Sequence, residues 1–303
     1  MHIFLKKSFR VLAKILLALI FFVTVIYIIL GILTSPSNNR DWSIDQSLLP
    51  YVEVSATSSN LIHIKNIRNY SYKSTSEYTP AYYDKTFDIS KIKKVYYIVE
   101  PFTGFKGSAH TFLSFEFEPV ASTTASSKNS IATSNDFLTV SVEIRKEKGE
   151  SFSALKGLFN QYEIMYVLAD ERDAIKLRSN FRKDDVYIYP VRTTKEKASA
   201  LFLDIIERVN TLHTTPEFYN TAYNTCTTNI MRHANTISPS KIPFSYKVLL
   251  PAYSDELAYD LGMIDTTAKS FEEARSKYKI NEKALLHADD VDFSNKIRES
   301  LNK

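Results

Sequence analysis

A run of nineteen residues without a charge, Ile15 to Leu33, "ILLALIFFVTVIYIILGIL", constrains this chain more than any other feature. As an α-helix it would cover about 28 Å at ~1.5 Å per residue, close to the hydrocarbon thickness of a bilayer. Lys6, Lys7, Arg10 and Lys14 stand before it, and no acid occurs before Asp41. The positive-inside rule makes residues 1–14 a basic cytoplasmic tail and residues 15–34 a signal anchor, and sends everything after Thr34 across the membrane. A cleaved signal peptide is the rival reading. Its apolar core is normally shorter and ends at a small-residue cleavage site, for which Gly31 and Thr34 are poor matches. Length favours an uncleaved anchor.

Those four basic residues supply the whole formal charge of +4, so the remainder is close to neutral. A nucleic-acid binder would carry its basic surface on the folded part, and that class is set aside. "SPSNNR" (35–40) reads as a polar linker, and residues 41–303 as the exported domain, with the only Trp, Trp42, tucking the linker onto it.

Within the domain, "NLIHIKNI" (60–67), "KKVYYIVEPF" (93–102), "AHTFLSFEF" (109–117), "FLTVSVEIR" (137–145), "YEIMYVLA" (162–169) and "DVYIYPV" (185–191) have the alternation or β-branched content of strands. The strands at 109–117 and 137–145 flank a Ser/Thr/Asn-rich loop (122–136), which predicts an antiparallel hairpin. The start of the first strand then lies near the end of the second. "DERDAIKLRSNF" (170–181) predicts a short helix whose Asp170, Glu171 and Asp173 are first-turn acids. Ala198, Leu201, Phe202, Ile205, Ile206, Val209 and Leu212 fall on one helical face, with Thr193 and Glu196 as a capping box. Residues 242–264 mix Pro with apolar residues and are expected to wrap the core; residues 266–303 read as a charged, peripheral helical tail. The fold class is α+β, an antiparallel sheet packed on helices after one transmembrane helix.

The chain holds one cysteine, Cys226, in "YNTAYNTCTTNIMRH". On the exported side a single Cys has no partner for a bridge within the chain, so it is a free thiol, an intermolecular link or a nucleophile. Asn224 or Thr225 is a good N-cap, which places Cys226 in the first turn of a helix. There the sulfur faces unpaired backbone N–H groups and the positive end of the helix dipole, surroundings that favour the reactive thiolate. The same N–H groups could hold an oxyanion.

A nucleophilic thiol also needs a base. Of six His, His2 is cytoplasmic, His213 ends a helix, His233 is two helical turns from Cys226, His287 is in the tail, and His63 and His110 are in strands. His110 opens the hairpin after "PFTGFKGSA", whose two Gly permit close backbone approach. It is the candidate base. Glu143, near the far end of the partner strand, is the candidate orienting carboxylate. Glu116 is the other choice, on the His110 face but about 20 Å up the strand. Arg145, Lys146 and Lys148 form a basic cluster, most simply a solvated turn. No metal-binding spacing and no Gly-rich phosphate loop occurs, so neither metal nor cofactor is implied.

Four segments, "HTFLSFEF", "SVEIRKEKGESFS", "YVLADERD" and "FYNTAYNTCTTNIMRH", taken in order, resemble the Lnb N-terminal periplasmic domain family of bacterial envelope proteins, over about residues 40–281. The resemblance implies a circularly permuted papain-like (NlpC/P60-type) fold in which His precedes Cys in the chain. The order His110, Glu143, Cys226 agrees with that. It also implies a bacterial inner-membrane protein with a periplasmic domain. The activity implied is that of a thiol acyltransferase working through a thioester, with lipoproteins or phospholipid as partners. In Lnb-type acyltransferases the membrane helices follow the domain, whereas here the apolar run precedes it. A cysteine peptidase or amidase, or a non-catalytic binding module, are the other outcomes for such a domain.

Overall fold

The computed structural model describes residues 2–54, 60–119, 135–299 and 301. The Ser/Thr/Asn-rich loop expected at 122–136 falls almost wholly outside them. Helix α1 (His2–Leu33) contains the segment Phe9–Ile29, with a mean hydropathy of 2.7 and none of its residues fully buried. Among the described residues it is the one helix long and apolar enough to cross a membrane.

Among the described residues ten strands follow: β1 (Tyr51–Val54), β2 (Leu61–Arg68), β3 (Ser71–Tyr72), β4 (Tyr78–Thr79), β5 (Tyr82–Asp88), β6 (Ile92–Pro101), β7 (Ala109–Phe117), β8 (Asp136–Arg145), β9 (Glu163–Ala169) and β10 (Tyr187–Pro190). β3 and β4 form a small hairpin of their own. The others make one sheet in the order β1-β2-β9-β8-β7-β6-β10, with β5 also paired to β2. Every ladder is antiparallel except the β2–β9 contact, Arg68 to Ala169. The predicted hairpin is β7–β8. Its register pairs Phe112 with Ser141 and Phe117 with Asp136; extended by two residues, it sets His110 opposite Glu143.

The helices are α2 (Ala154–Leu158), α3 (Glu171–Lys176), α4 (Lys195–Thr214), α5 (Cys226–Ile237), α6 (Tyr246–Leu249), α7 (Ser254–Asp260), α8 (Phe271–Tyr278), α9 (Asn281–Leu286) and α10 (Phe293–Lys296). α4 buries the seven apolar residues read from its sequence. Its cap lies one residue later than expected: Thr194, not Thr193, accepts from the Lys197 N–H, because Thr194 is the residue in extended conformation at the boundary.

Both faces of the central strands are covered, and β7 shows how. Thr111 touches Thr227 of α5, and Phe115 and Phe117 pack against Phe202 of α4. The alternate residues Phe112, Ser114 and Glu116 meet Arg178, Glu171 and, through Tyr96, Arg298. A strand enclosed on both sides would normally be apolar throughout. This one keeps polar residues on its second face because each finds an ionic or hydrogen-bonding partner there.

The second layer is closed by the C-terminal segment, and this corrects the expectation of a peripheral tail. Ala274, Tyr278, Ile280, Ala284, Phe293, Ile297 and Leu301 are buried, and Arg298 pairs with the buried Glu171 at 2.5 Å. Each short helix contributes only one or two core residues among many charges, which dilutes the apolar pattern along the sequence. Asp170, Glu171 and Asp173 likewise divide. Asp170 caps α3, while Glu171 and Asp173 are buried in ion pairs with Arg298 and Arg68.

The linker is fastened down as expected. Trp42 Nε1 donates to the Asn38 carbonyl at 3.0 Å, and the Arg145 guanidinium lies 4.2 Å over the indole ring. Arg145 also donates to the carbonyls of Gln46 and Ser47, so it belongs to the linker rather than to a solvated basic turn.

Candidate active site

The chain places Cys226 at the first position of α5. Thr225 is the N-cap, and with Thr228 it forms a reciprocal capping box. The box satisfies the N–H groups of Thr225 and Thr228. The N–H groups of Cys226 and Thr227 are first-turn donors that the box does not use, at the positive end of the helix that carries the thiol. Asn224, the other cap candidate, ties the preceding turn instead: its Nδ2 donates to the Phe218 carbonyl, and its Oδ1 accepts from Asn229. Cys226 itself is 6 % exposed.

Cys226, His110 and Glu143 all line one cleft of about 440 Å³ at the end of the sheet where β7 begins. Its walls include Phe102, Phe105, Phe152 and Leu250, with Arg178 and Arg182 at one side. The Gly-containing turn before His110 serves as expected: Gly107 is where residues 250–252 cross close by, and a Cβ there would press on Leu250 and Phe105. The neighbours of the two key residues meet directly, Thr111 Oγ1 to Thr227 Oγ1 at 2.9 Å, which fixes the His strand to the Cys helix. His110 and Cys226 themselves share the cleft but no hydrogen bond; among the described residues the thiol's one hydrogen-bond contact is Thr227 Oγ1 at 3.8 Å.

His110 is held through a residue the sequence reading did not single out. Its Nε2 lies 2.7 Å from Ser141 Oγ, and Ser141 Oγ donates to Glu143 Oε1 at 2.7 Å. The direct His110–Glu143 separation is 3.9 Å. Burial pushes the imidazole pKa down to about 3, aided by the Arg178 charge and only partly opposed by Glu143. Burial alone would raise the Glu143 carboxyl, but Arg178 and Arg68 hold it well below the usual carboxylate range. The protons follow from these facts. An ionised Glu143 only accepts, so the single Ser141 hydroxyl proton goes to it. Ser141 must then accept from His110, which makes Nε2 the protonated nitrogen of a neutral ring. The lone pair sits on Nδ1, which has no hydrogen-bond partner among the described residues, on a ring that lines the cleft.

Arg178 is the second residue the sequence did not reveal. It donates to Glu100 (2.7 Å), to Glu143 (3.1 Å) and to the Ala174 carbonyl (2.7 Å), and stacks over Phe112 at 4.7 Å. It stands on a π-helical turn, Leu177–Arg182, where a plain helix was expected to run to 181. Arg178 and Ser179 side chains bond the carbonyls of Ala174 and Ile175, four residues back, which opens the helical ladder at this point.

The other His residues lie apart. His63 bonds Thr86, His287 bonds Asp290, and His213 packs at a tilt against the Tyr51 ring. His233, on the same helix as Cys226, is committed to Asp204 and Tyr166. Glu116 binds Tyr96, Lys93 and Asn135 at the far end of β7. A neutral imidazole with an open lone pair, an ionised carboxylate behind it and a thiol at a helix start are the parts needed for nucleophilic thiol chemistry.

Comparison with protein families matches residues 78–252 to one model, described as the Lnb N-terminal periplasmic domain. Comparison with curated proteins and with solved structures returns no match. A periplasmic domain after one apolar N-terminal helix fits a single-pass membrane protein.

Proposed function

Because the chain belongs to the Lnb N-terminal periplasmic domain family, we propose that it is a thiol acyltransferase or hydrolase of the bacterial envelope, with a permuted papain-like (NlpC/P60-type) site. It is held in the inner membrane by α1 with its basic N-terminus in the cytoplasm. His110 Nδ1 takes the Cys226 proton, and the sulfur attacks an ester or amide carbonyl. The N–H groups of Cys226 and Thr227 receive the oxyanion, and the imidazolium returns its proton to the leaving group as the thioester forms. An amine or water, deprotonated by His110, then attacks the thioester and releases the thiol. An amine acceptor makes the reaction acyl transfer, with a lipoprotein N-terminus as acceptor and phospholipid as donor; water makes it hydrolysis of lipid, peptide or peptidoglycan.

The observation that carries this reading is the commitment of the His110 Nε2 proton to Ser141, which leaves the Nδ1 lone pair unused on a ring that lines the same cleft as Cys226. The missing Cys226–His110 hydrogen bond favours a second reading, a binding module without catalysis. Resting-state contacts of this kind often tighten only with substrate bound.

The test is to incubate the full chain with phospholipid and a diacylated lipopeptide, and separately with muropeptides, and to read products by mass spectrometry. An N-acylated lipopeptide or a cleaved muropeptide, together with an acyl adduct on Cys226, is expected. Both are lost in Cys226→Ala and His110→Ala while the fold is kept. No product and no adduct, with ligand binding unchanged in Cys226→Ala, would establish the binding module instead.

A further inference from the structure

The apolar helix does not stand clear of the domain. The Tyr27 ring lies 6.3 Å from that of Phe159, and the Tyr27 phenol interacts with the phenol of Tyr223. The chain after Leu33 is pinned within a few residues: the Ser37 N–H donates to Glu163 Oε1 at 3.0 Å, Asn38 Nδ2 donates to the carbonyls of Leu212 and His213, and Arg40 pairs with Glu163 at 2.9 Å. The four residue steps from Leu33 to Ser37 span at most about 14 Å. The domain therefore cannot drift from the bilayer.

Tyr27 lies near the domain-side end of the apolar segment Phe9–Ile29, at the depth where hydrocarbon gives way to headgroups. Tyr223 is level with it, and from Tyr223 an exposed apolar rim continues. Tyr223, Phe244 and Leu249 line one hollow; Leu249 also lines the thiol cleft beside Phe105 and Phe152. Phe244 is 75 % exposed and Phe105 67 %. Contiguous exposed aromatics of this kind mark an interaction surface, and aromatic rings are favoured at the boundary between headgroups and acyl chains.

We propose that this rim docks into the surface of the bilayer that α1 spans, so that the cleft opens onto the lipid. The occupant is a lipid surface because the helix contacting Tyr223 brings that surface to the rim. The inference stands on the helix and the rim, not on the thiol chemistry, and holds whether the site transfers, hydrolyses or only binds. Together with the proposed reaction, it means that a substrate reaches Cys226 from the membrane side.

The test uses the full chain in vesicles of phosphatidylethanolamine and phosphatidylglycerol, with Phe105→Trp and Phe244→Trp made separately. Val291→Trp, an exposed position outside both hollows, is the reference, and the unaltered chain gives the Trp42 background. Lipid brominated in the upper acyl chain should remove about half the added emission at 105 and 244, since an interfacial apolar face reaches about 5–10 Å into that layer. Emission at 291 should be unchanged. Equal quenching at all three positions would overturn the proposal. So would unquenched emission at both rim positions; a blue shift without quenching would mean that protein, such as a second copy, covers the rim. An unchanged thermal midpoint in each variant confirms that the fold is intact.

Discussion

Ser141 donates its only hydroxyl proton to Glu143, 2.7 Å away, and can therefore only accept from His110. The carboxylate orients the imidazole without touching it. Removing the hydroxyl in Ser141→Ala leaves His110 and Glu143 3.9 Å apart with nothing to fix which ring nitrogen holds the proton. Turnover should fall about ten- to hundredfold, by analogy with the loss of a group that orients a metal-bound histidine. KM should stay near its original value, and Ser141→Thr should restore most of the rate. Steady-state kinetics on the three proteins checks this; a matched rise in KM would mean that Ser141 shapes substrate binding instead.

The low His110 pKa, about 3 against an ordinary 6.5, has a pH consequence of definite sign. Between those values the unfolded chain binds a proton that the folded chain refuses. Stability therefore rises with pH across this window and is lost as acid is added. Replacing the ring in His110→Asn should flatten the slope by about one proton, ~1.4 kcal/mol per pH unit. Denaturant titrations at several pH values from 4 to 6 measure it. The same depression keeps His110 unprotonated near pH 6, so if it is the proposed base the rate should show no acid limb at the ordinary histidine pKa.

Arg178 holds two carboxylates at once, Glu100 at 2.7 Å and Glu143 at 3.1 Å, and all but a few per cent of its own surface is buried. Arg178→Met fills the volume but takes the buried guanidinium from both acids, leaving Glu100 with Arg182 at 3.3 Å and Glu143 with the Ser141 hydroxyl. The expected loss is about 3–5 kcal/mol, the cost of breaking a buried pair from one side. Adding Glu100→Gln should recover part of it, because one under-compensated buried charge is then gone. Thermal unfolding of the single and double variants decides. A double variant no more stable than the single would place the cost in lost packing over Phe112.

The contrast between what the sequence revealed and what it hid has a physical basis. The apolar helix, the β7–β8 hairpin, the apolar face of α4 and the cap ahead of Cys226 are short-range patterns, each complete within one or two elements. That is why the proximity of His110 and Glu143 could be read from strand order alone. Ser141 and Arg178 were missed for a different reason. In a strand with one wet face, a Ser is taken for a solvated residue. Here the second face is covered, and the partner that makes Ser141 matter sits on another strand. Arg178 comes from a helix whose departure into a π-turn depends on side-chain bonds to its own carbonyls. Glu171 and Asp173 looked like first-turn acids because their partners, Arg298 and Arg68, are more than a hundred residues away in the chain.

Behind Cys226 lies a second buried network that allows the fold and the chemistry to be separated. Asp204 Oδ2 accepts from His233 Nδ1 at 2.6 Å, so His233 Nε2 carries the lone pair that the Tyr166 hydroxyl meets at 2.6 Å. One turn nearer the thiol, Asn229 Nδ2 donates to the Thr225 carbonyl at 2.8 Å and to Asn224 Oδ1 at 2.9 Å, bracing the turn that presents Cys226. Tyr166→Phe leaves one buried ring nitrogen unpartnered and should cost about 1–3 kcal/mol. It also removes the 3.3 Å contact between the Tyr166 hydroxyl and Asn229 Oδ1, but Arg232 still donates to that oxygen and both Asn229 Nδ2 bonds stay in place, so the alkylation rate of Cys226 should change little. Asn229→Ala should cost a similar amount of stability, but it also frees the Asn224–Thr225 turn, and alkylation of Cys226 should change several-fold. Thermal midpoints and iodoacetamide labelling of both variants, under conditions where both are folded, test the distinction. Equal labelling in the two would mean that the capping box alone holds the sulfur in place.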